Sequence, residues 1–208
     1  MRMMTVIAVL VACLAGLGAQ SPVKTVDGGT LDHLELFVPS LPTPADATVV
    51  IKPFDTAKAD LGTGAKEGKE TRQQEAQTIR KEGPALLGNA VVATLKKLGG
   101  FKGASYVGEG PEAPAGALIV EGSFTTINPG SRAKRYFAGF GAGKSEIELT
   151  GTVKDATGAT LATFRQKRVG AMGMAGGDSL DKMKSDCENI GEDIGKFLSR
   201  WAKGEKLD

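Results

Sequence analysis

The chain has 208 residues, 26 of them basic and 24 acidic for a formal net charge of +2, and is 41% hydrophobic but only 5% aromatic. This length and apolar content suit one folded domain and exclude wholesale disorder. The near-neutral balance removes any global pull toward nucleic acid or an anionic membrane, and the shortage of rings leaves few stacking platforms. His33 is the sole histidine and Cys13 and Cys187 the only cysteines, too few for a multi-histidine or Cys/His metal centre, so no metal or other cofactor is expected.

Residues 1–21 read MRMMTVIAVLVACLAGLGAQS. A basic start at Arg2, an uncharged apolar run from Thr5 to Leu17 and the small residues Gly16, Gly18 and Ala19 form the three-part layout of a secretory signal. The run falls short of the roughly 20 residues of a membrane-spanning helix. Two processing readings stand side by side. Removal of residues 1–19 would free a soluble chain. Alternatively, Leu10-Val11-Ala12-Cys13 resembles a lipobox, which makes Cys13 the candidate for lipidation and for a lipid anchor to the membrane. Both place the protein outside the cytoplasm, in the periplasm or anchored in the cell envelope. After ordinary cleavage Cys187 is the one remaining thiol, so the fold must rest on its core without an internal disulfide.

Residues 20–47 carry four prolines and few periodic apolar positions. They are expected to be a leader or linker whose one candidate strand is 34–38. A single α/β domain is expected over 48–203, with 204–208 a polar tail. Residues 48–54 (TVVIKPF) are β-branched and read as its first strand. The polar stretch 67–81 reads either as an exposed helix with almost no apolar face or as a solvated segment. Pro84 suits a first helical position. From there Leu87, Val91, Leu95 and Leu98 recur at helical spacing, Lys96 and Lys97 suit the helix C-terminus, and Gly99 and Gly100 end it.

A short strand is expected at 104–107 and a turn at 108–116. Residues 117–127 (ALIVEGSFTTI) read as a strand with Leu118, Val120, Gly122, Phe124 and Thr126 on one face and Ile119, Glu121, Ser123, Thr125 and Ile127 on the other. Residues 144–154 alternate, with Ile147, Leu149, Gly151 and Val153 on one side. Asp155 and the following Ala-Thr-Gly-Ala make a hairpin turn into a return strand at 160–169. Beyond a loop at 170–177, Asp178 or Ser179 caps a final helix whose stripe runs Leu180, Met183, Cys187, Ile190, Ile194, Phe197 and Trp201. That stripe suits packing on a sheet, or else a coiled-coil seam. Cys187, lying on it, reads as a buried and inert thiol.

AGFGAGKS at 138–145 meets a loose phosphate-loop pattern. A phosphate cradle needs a helix whose first amides converge on the anion, whereas the period-two stretch from Glu146 onward predicts a strand. Gly139, Gly141 and Gly143 are then expected to serve close packing or a bulge. Arg132, Lys134 and Arg135, interleaved with Tyr136, Phe137 and Phe140, are the candidate partner or membrane contact; the alternative is an ordinary solvated loop. His33 lacks any nucleophile context and reads as an exposed leader residue. The carboxylate pairs Asp55/Asp60 and Glu146/Glu148 are not singled out by any motif.

The order of a Val120-Glu-Gly-Ser-Phe strand, a Pro129-to-Arg132 turn, the Gly139-to-Ser145 run, an alternating strand and the Asp155–Gly158 turn resembles the bacterial family called domain of unknown function 4410, over about residues 48–202. The resemblance implies an α/β sandwich and an exported, envelope location. It implies no catalytic residues. The fold class expected is a two-layer α/β (α+β) sandwich, a mixed and mostly antiparallel sheet with helices on one face. The function expected is non-catalytic: a module that binds envelope proteins or scaffolds an assembly, with no nucleic acid partner and an oligomeric state the sequence leaves open. The alternatives are a small-ligand or lipid carrier, using a groove between helix and sheet, and a hydrolase with a carboxylate site.

Overall fold

The computed structural model describes residues 21–41, 44–62, 70–108, 114–130, 143–170 and 179–207. Among these residues seven strands and two long helices appear in the order β1 (Lys24–Asp27), β2 (His33–Leu36), β3 (Thr48–Ile51), α1 (Glu70–Leu98), β4 (Gly103–Tyr106), β5 (Leu118–Asn128), β6 (Ser145–Lys154), β7 (Thr160–Gly170) and α2 (Ser179–Ala202). A single sheet has the order β1-β2-β7-β6-β5-β3-β4. Strands β5, β6 and β7 form an antiparallel meander. β3 runs parallel to both β5 and β4, and parallel neighbours need a crossover, which α1 provides between β3 and β4. Both helices lie on one face, so the expected mixed, mostly antiparallel α/β sandwich is what forms.

The sheet begins earlier in the chain than expected. The stretch 20–47, read as a leader or linker, contributes β1 and β2, which pair with each other and, through β2, with β7. The candidate strand at 34–38 forms as β2 at 33–36, whereas β1 was not anticipated: both strands are only four residues long, and the partner that ties β2 to the rest of the sheet, β7, lies more than a hundred residues away. Long-range polar bonds hold this hairpin. Asp32 accepts from the Lys167 amide (2.8 Å), while its own amide donates to the Gln166 side chain (2.8 Å). The supposed polar tail is anchored too: Leu207 is buried in the core cluster, and the Arg200 side chain reaches both Thr30 and the Lys206 carbonyl.

Pro84 does not open a helix but lies inside α1, which starts well before it, at Glu70. Proline in a helix interior leaves the carbonyl four residues back without its amide. Here that carbonyl, of Arg80, accepts from the Thr56 hydroxyl (3.3 Å), and the Arg80 guanidinium donates to the Ala57 carbonyl (3.0 Å). The stretch with little visible apolar face buries Ala76 and Ile79, together with the ion pair Arg72–Glu75. Arg72 also donates to the Ser179 hydroxyl and to the Pro129 carbonyl (3.3 Å), joining the first turns of both helices to the end of β5. Gly99, with φ at 74°, ends α1 as expected. There Ser199 of α2 and Lys203, just beyond its end, donate to the Gly99 and Leu98 carbonyls respectively, each at 2.8 Å.

The stripe on α2 is core, not a seam for a second chain: Met183, Cys187, Ile190, Ile194, Phe197 and Trp201 are all buried within this fold. α2 packs most extensively on α1. Gly191 and Gly195, one turn apart, permit the close crossing, because a Cβ at Gly191 would strike the Leu87 carbonyl and one at Gly195 would sit 2.6 Å from Thr94 Cβ. Burial drives the Cys187 thiol up to about 12, with the charges of Asp186 and Glu188 adding to the effect. This matches the inert thiol read from its place on the stripe.

Under the sheet an aromatic row runs Phe124–Phe54–Phe164–Phe197–Trp201, with successive ring centroids 5.5 to 6.5 Å apart. It passes beneath Gly122 and Gly151, which pair directly across β5 and β6. A Cβ at Gly151 would enter the Phe164 ring, and one at Gly122 would lie 2.5 Å from the Phe54 ring. Gly122 and Gly151 thus make room for packing; Gly139 and Gly141, expected to do so, lie outside the described residues, and Gly143 occupies a turn with φ at 77°.

Candidate binding face

Strand alternation and register decide what the uncovered face presents. On β6 the expected alternation holds, with Ile147, Leu149 and Val153 in the core and Glu146, Glu148, Thr150, Thr152 and Lys154 on the opposite side. On β5 it holds only as far as Phe124. A bulge between Phe124 and Thr126 makes Thr125 an extra residue, so Ile127 turns into the core and Thr126 out of it, the reverse of the expected assignment. The bulge lies where the irregular segment after β3 binds the β5 edge: the Asp60 amide donates to the Thr125 carbonyl (2.9 Å) and the Ile127 amide to the Asp60 carbonyl (2.8 Å).

The register lays two rows of side chains straight across the open face. One row is Ser123, Thr150, Arg165, His33 and Asp27; the next is Glu121, Thr152, Thr163, Glu35 and Thr25. Strands are about 4.8 Å apart, which sets the spacing along each row. Between the rows lies a groove of about 530 Å³. Its walls are the hydroxyls of Ser123, Thr150, Thr152 and Thr163, its floor is opened by Gly122 and Gly151, and Arg165 and His33 close one end.

Most charges on this face are paired. Glu121 takes Lys154 (2.6 Å) and Lys52 (3.5 Å), and the Lys154 hydrogen bond holds its carboxyl below the usual range. Lys167 meets Glu146 at 2.8 Å, with Glu148 directly opposite, and the Glu146 bond raises the Lys167 ammonium above its ordinary value. His33 is not the isolated leader histidine expected. It sits on β2 with Nδ1 2.6 Å from Asp27 and Nε2 3.7 Å from Glu35, while Glu35 also accepts from the Thr163 hydroxyl (2.9 Å). Among the described residues, Arg165 has no ion-pair partner.

The other sequence candidates fall elsewhere. Cys13 and the cluster Arg132, Lys134, Arg135, Tyr136, Phe137 and Phe140 lie outside the described residues. Ser145 begins β6 and is sealed in the core beside Gly170, whereas Lys144 is exposed; a strand and not a helix follows them, so no helix N-terminus stands there to cradle a phosphate. Asp55 caps a turn through the Ala57 amide (2.9 Å), and Glu146 and Glu148 face Lys167; neither carboxylate pair lines the groove. Among the described residues no group of three or more His, Cys, Asp or Glu side chains could hold a metal, and no helix is long and apolar enough to cross a membrane. The groove expected between helix and sheet is filled by Phe54, Phe124 and Phe164; the one found lies on the opposite face.

A model of the family described as "Domain of unknown function (DUF4410)" matches residues 49–174. No curated protein matches the chain. Solved structures similar to it include a dodecamer of a PelC point variant from Paraburkholderia phytofirmans, at 13% identity and a TM-score of 0.42, covering 75% of this chain and 92% of that one. A second PelC dodecamer from the same organism, at 12% identity and a TM-score of 0.39, covers 75% and 93%. An uncharacterised protein at 12% identity and a TM-score of 0.40 covers 76% and 94%.

Proposed function

Starting from the membership of this chain in the family of domain of unknown function 4410, we propose that it is a non-catalytic binding module of the bacterial cell envelope that holds its partner on the open face of the sheet. One observation carries this reading: the same sheet that is sealed by two helices on one side presents, on the other, a groove with hydroxyl walls and a guanidinium that has no ion-pair partner among the described residues. Polar groups already positioned by a rigid sheet are well suited to recognition, because little conformational entropy is lost when they engage a partner. The envelope location rests on the signal-like segment 1–21, with Cys13 as the site of any acyl anchor.

The groove also favours a second reading, a carrier of small polar ligands, since its volume falls within the roughly 300–1,000 Å³ of small-molecule sites. A photo-crosslinking residue placed at Thr150 or, as control, at exposed Glu188 on α2 tests the proposal in the native host. A discrete adduct in the envelope fraction from Thr150 alone is expected, and adducts from Glu188 alone would overturn the open-face assignment. The intact mass of the recovered chain separates a free N-terminus near residue 20 from a diacylated Cys13.

A further inference from the structure

We infer that the groove binds a small monocarboxylate carrying several hydroxyl groups, a sugar-acid type of molecule, with its carboxylate on Arg165 and its hydroxyls along Thr150 and Ser123. This rests on the open face being the binding surface and adds the chemistry of what occupies it. Charge complementarity points to a single negative group. Lys52, Lys154 and Lys167 are committed to Glu121 and Glu146, which leaves the Arg165 guanidinium as the one groove cation without a carboxylate among the described residues. Its planar fork matches a carboxylate in two parallel hydrogen bonds.

A more highly charged anion is disfavoured. Asp27 and Glu35 flank His33, the neighbour of Arg165 in the row, and Glu148 lies on the adjoining strand, so a second negative charge would be repelled. The hydroxyls extend the match. Thr150 stands directly opposite Arg165, and Ser123 directly opposite Thr150. A ligand lying across the strands therefore meets one charged and then two hydroxyl positions at intervals of about 4.8 Å, with Thr152 in the next row. Among the described residues the lining holds no Leu, Ile, Val or Met side chain and no exposed aromatic ring, which disfavours flat aromatic ligands that need a stacking platform.

The test is a nitrogen-15 NMR titration of the mature chain with gluconate, glucose, acetate and inorganic phosphate as separate probes. Gluconate is expected to shift the Arg165 Nε–H signal and the Ser123 and Thr150 amides to saturation, with glucose and acetate each weaker by at least about tenfold because each lacks half of the match. Arg165→Gln is expected to abolish the gluconate response and leave the remaining spectrum and the thermal midpoint unchanged. An absence of saturable shifts with gluconate, an undiminished response in Arg165→Gln, or tighter binding of phosphate would each overturn the inference. If gluconate fails while crosslinks from Thr150 persist, the ligand class is wrong and the open face stands as the binding surface.

Discussion

The two faces of this sheet are built from alternate residues of the same strands, yet they are organised by opposite rules. Toward the helices, side chains are chosen for volume: Gly122 and Gly151 yield space that Phe54 and Phe164 fill, and the paired glycines are as necessary to the core as the rings. Away from the helices no described residue fills the space over those glycines, and the flanking Ser123, Thr150 and Thr152 line an open groove. A substitution of equal size should therefore have very different consequences on neighbouring residues, because close packing penalises volume changes only where there is a facing layer.

The largest effect is expected from Phe124→Ala. Phe124 is fully buried, and removing it should cost about 3–5 kcal/mol in chemical denaturation; a loss below about 1 kcal/mol would show that the aromatic row is not the centre of the core. Gly151→Val comes next. Its side chain would enter the Phe164 ring, with a cost of about 1–3 kcal/mol from overpacking.

Asp155 probes the hairpin that joins the two face-defining strands. Its carboxylate accepts from the Thr157 hydroxyl (2.6 Å) and from the Thr157 and Ala159 amides (2.8 and 3.0 Å), and these bonds, led by the Thr157 hydroxyl, lower its pKa. Asp155→Ala should cost a few tenths to about 1 kcal/mol at neutral pH, a value kept small by solvent around the turn. A group whose folded pKa is depressed stabilises fully above its unfolded value and loses that contribution as pH falls through the folded one. The gap between wild type and variant, read from denaturation midpoints, should accordingly close in acid; a gap that widens there would contradict the assigned bonds. The smallest effect is expected from Thr150→Val, nearly isosteric and on the open face, which should leave stability within about 0.5 kcal/mol. A cost near that of Gly151→Val would mean that the open face is covered after all.

Legibility in the sequence followed the range of the interactions. The stripe on α2, the alternation on β6 and the turn at Asp155 are local patterns of three, four or two residues, and all appear where the sequence places them. α1 was half legible: the stop at Gly99 is local, whereas the passage through Pro84 depends on Thr56 arriving from another part of the chain to satisfy the Arg80 carbonyl. The bulge at Thr125 was invisible for the same reason, because it is tied to the backbone of Asp60. Apart from His33, which reads as an ordinary leader histidine, no groove residue stands out in the sequence as part of a site. The polar alternation of β6 was the available signal, but it could not say which residues of β5, β7 and β2 would stand beside Thr150.

Taken alone, the amino-acid sequence determined the kind of fold and most of its elements, since helix and strand periodicity, caps and turn residues act between near neighbours. The tertiary structure decided which face remained open, how β1 and β2 joined the sheet, and the row that aligns Ser123, Thr150, Arg165 and His33. Strand order and register join residues as far apart as His33 and Arg165, and such pairings are selected by the packing of the whole sheet rather than by any local preference.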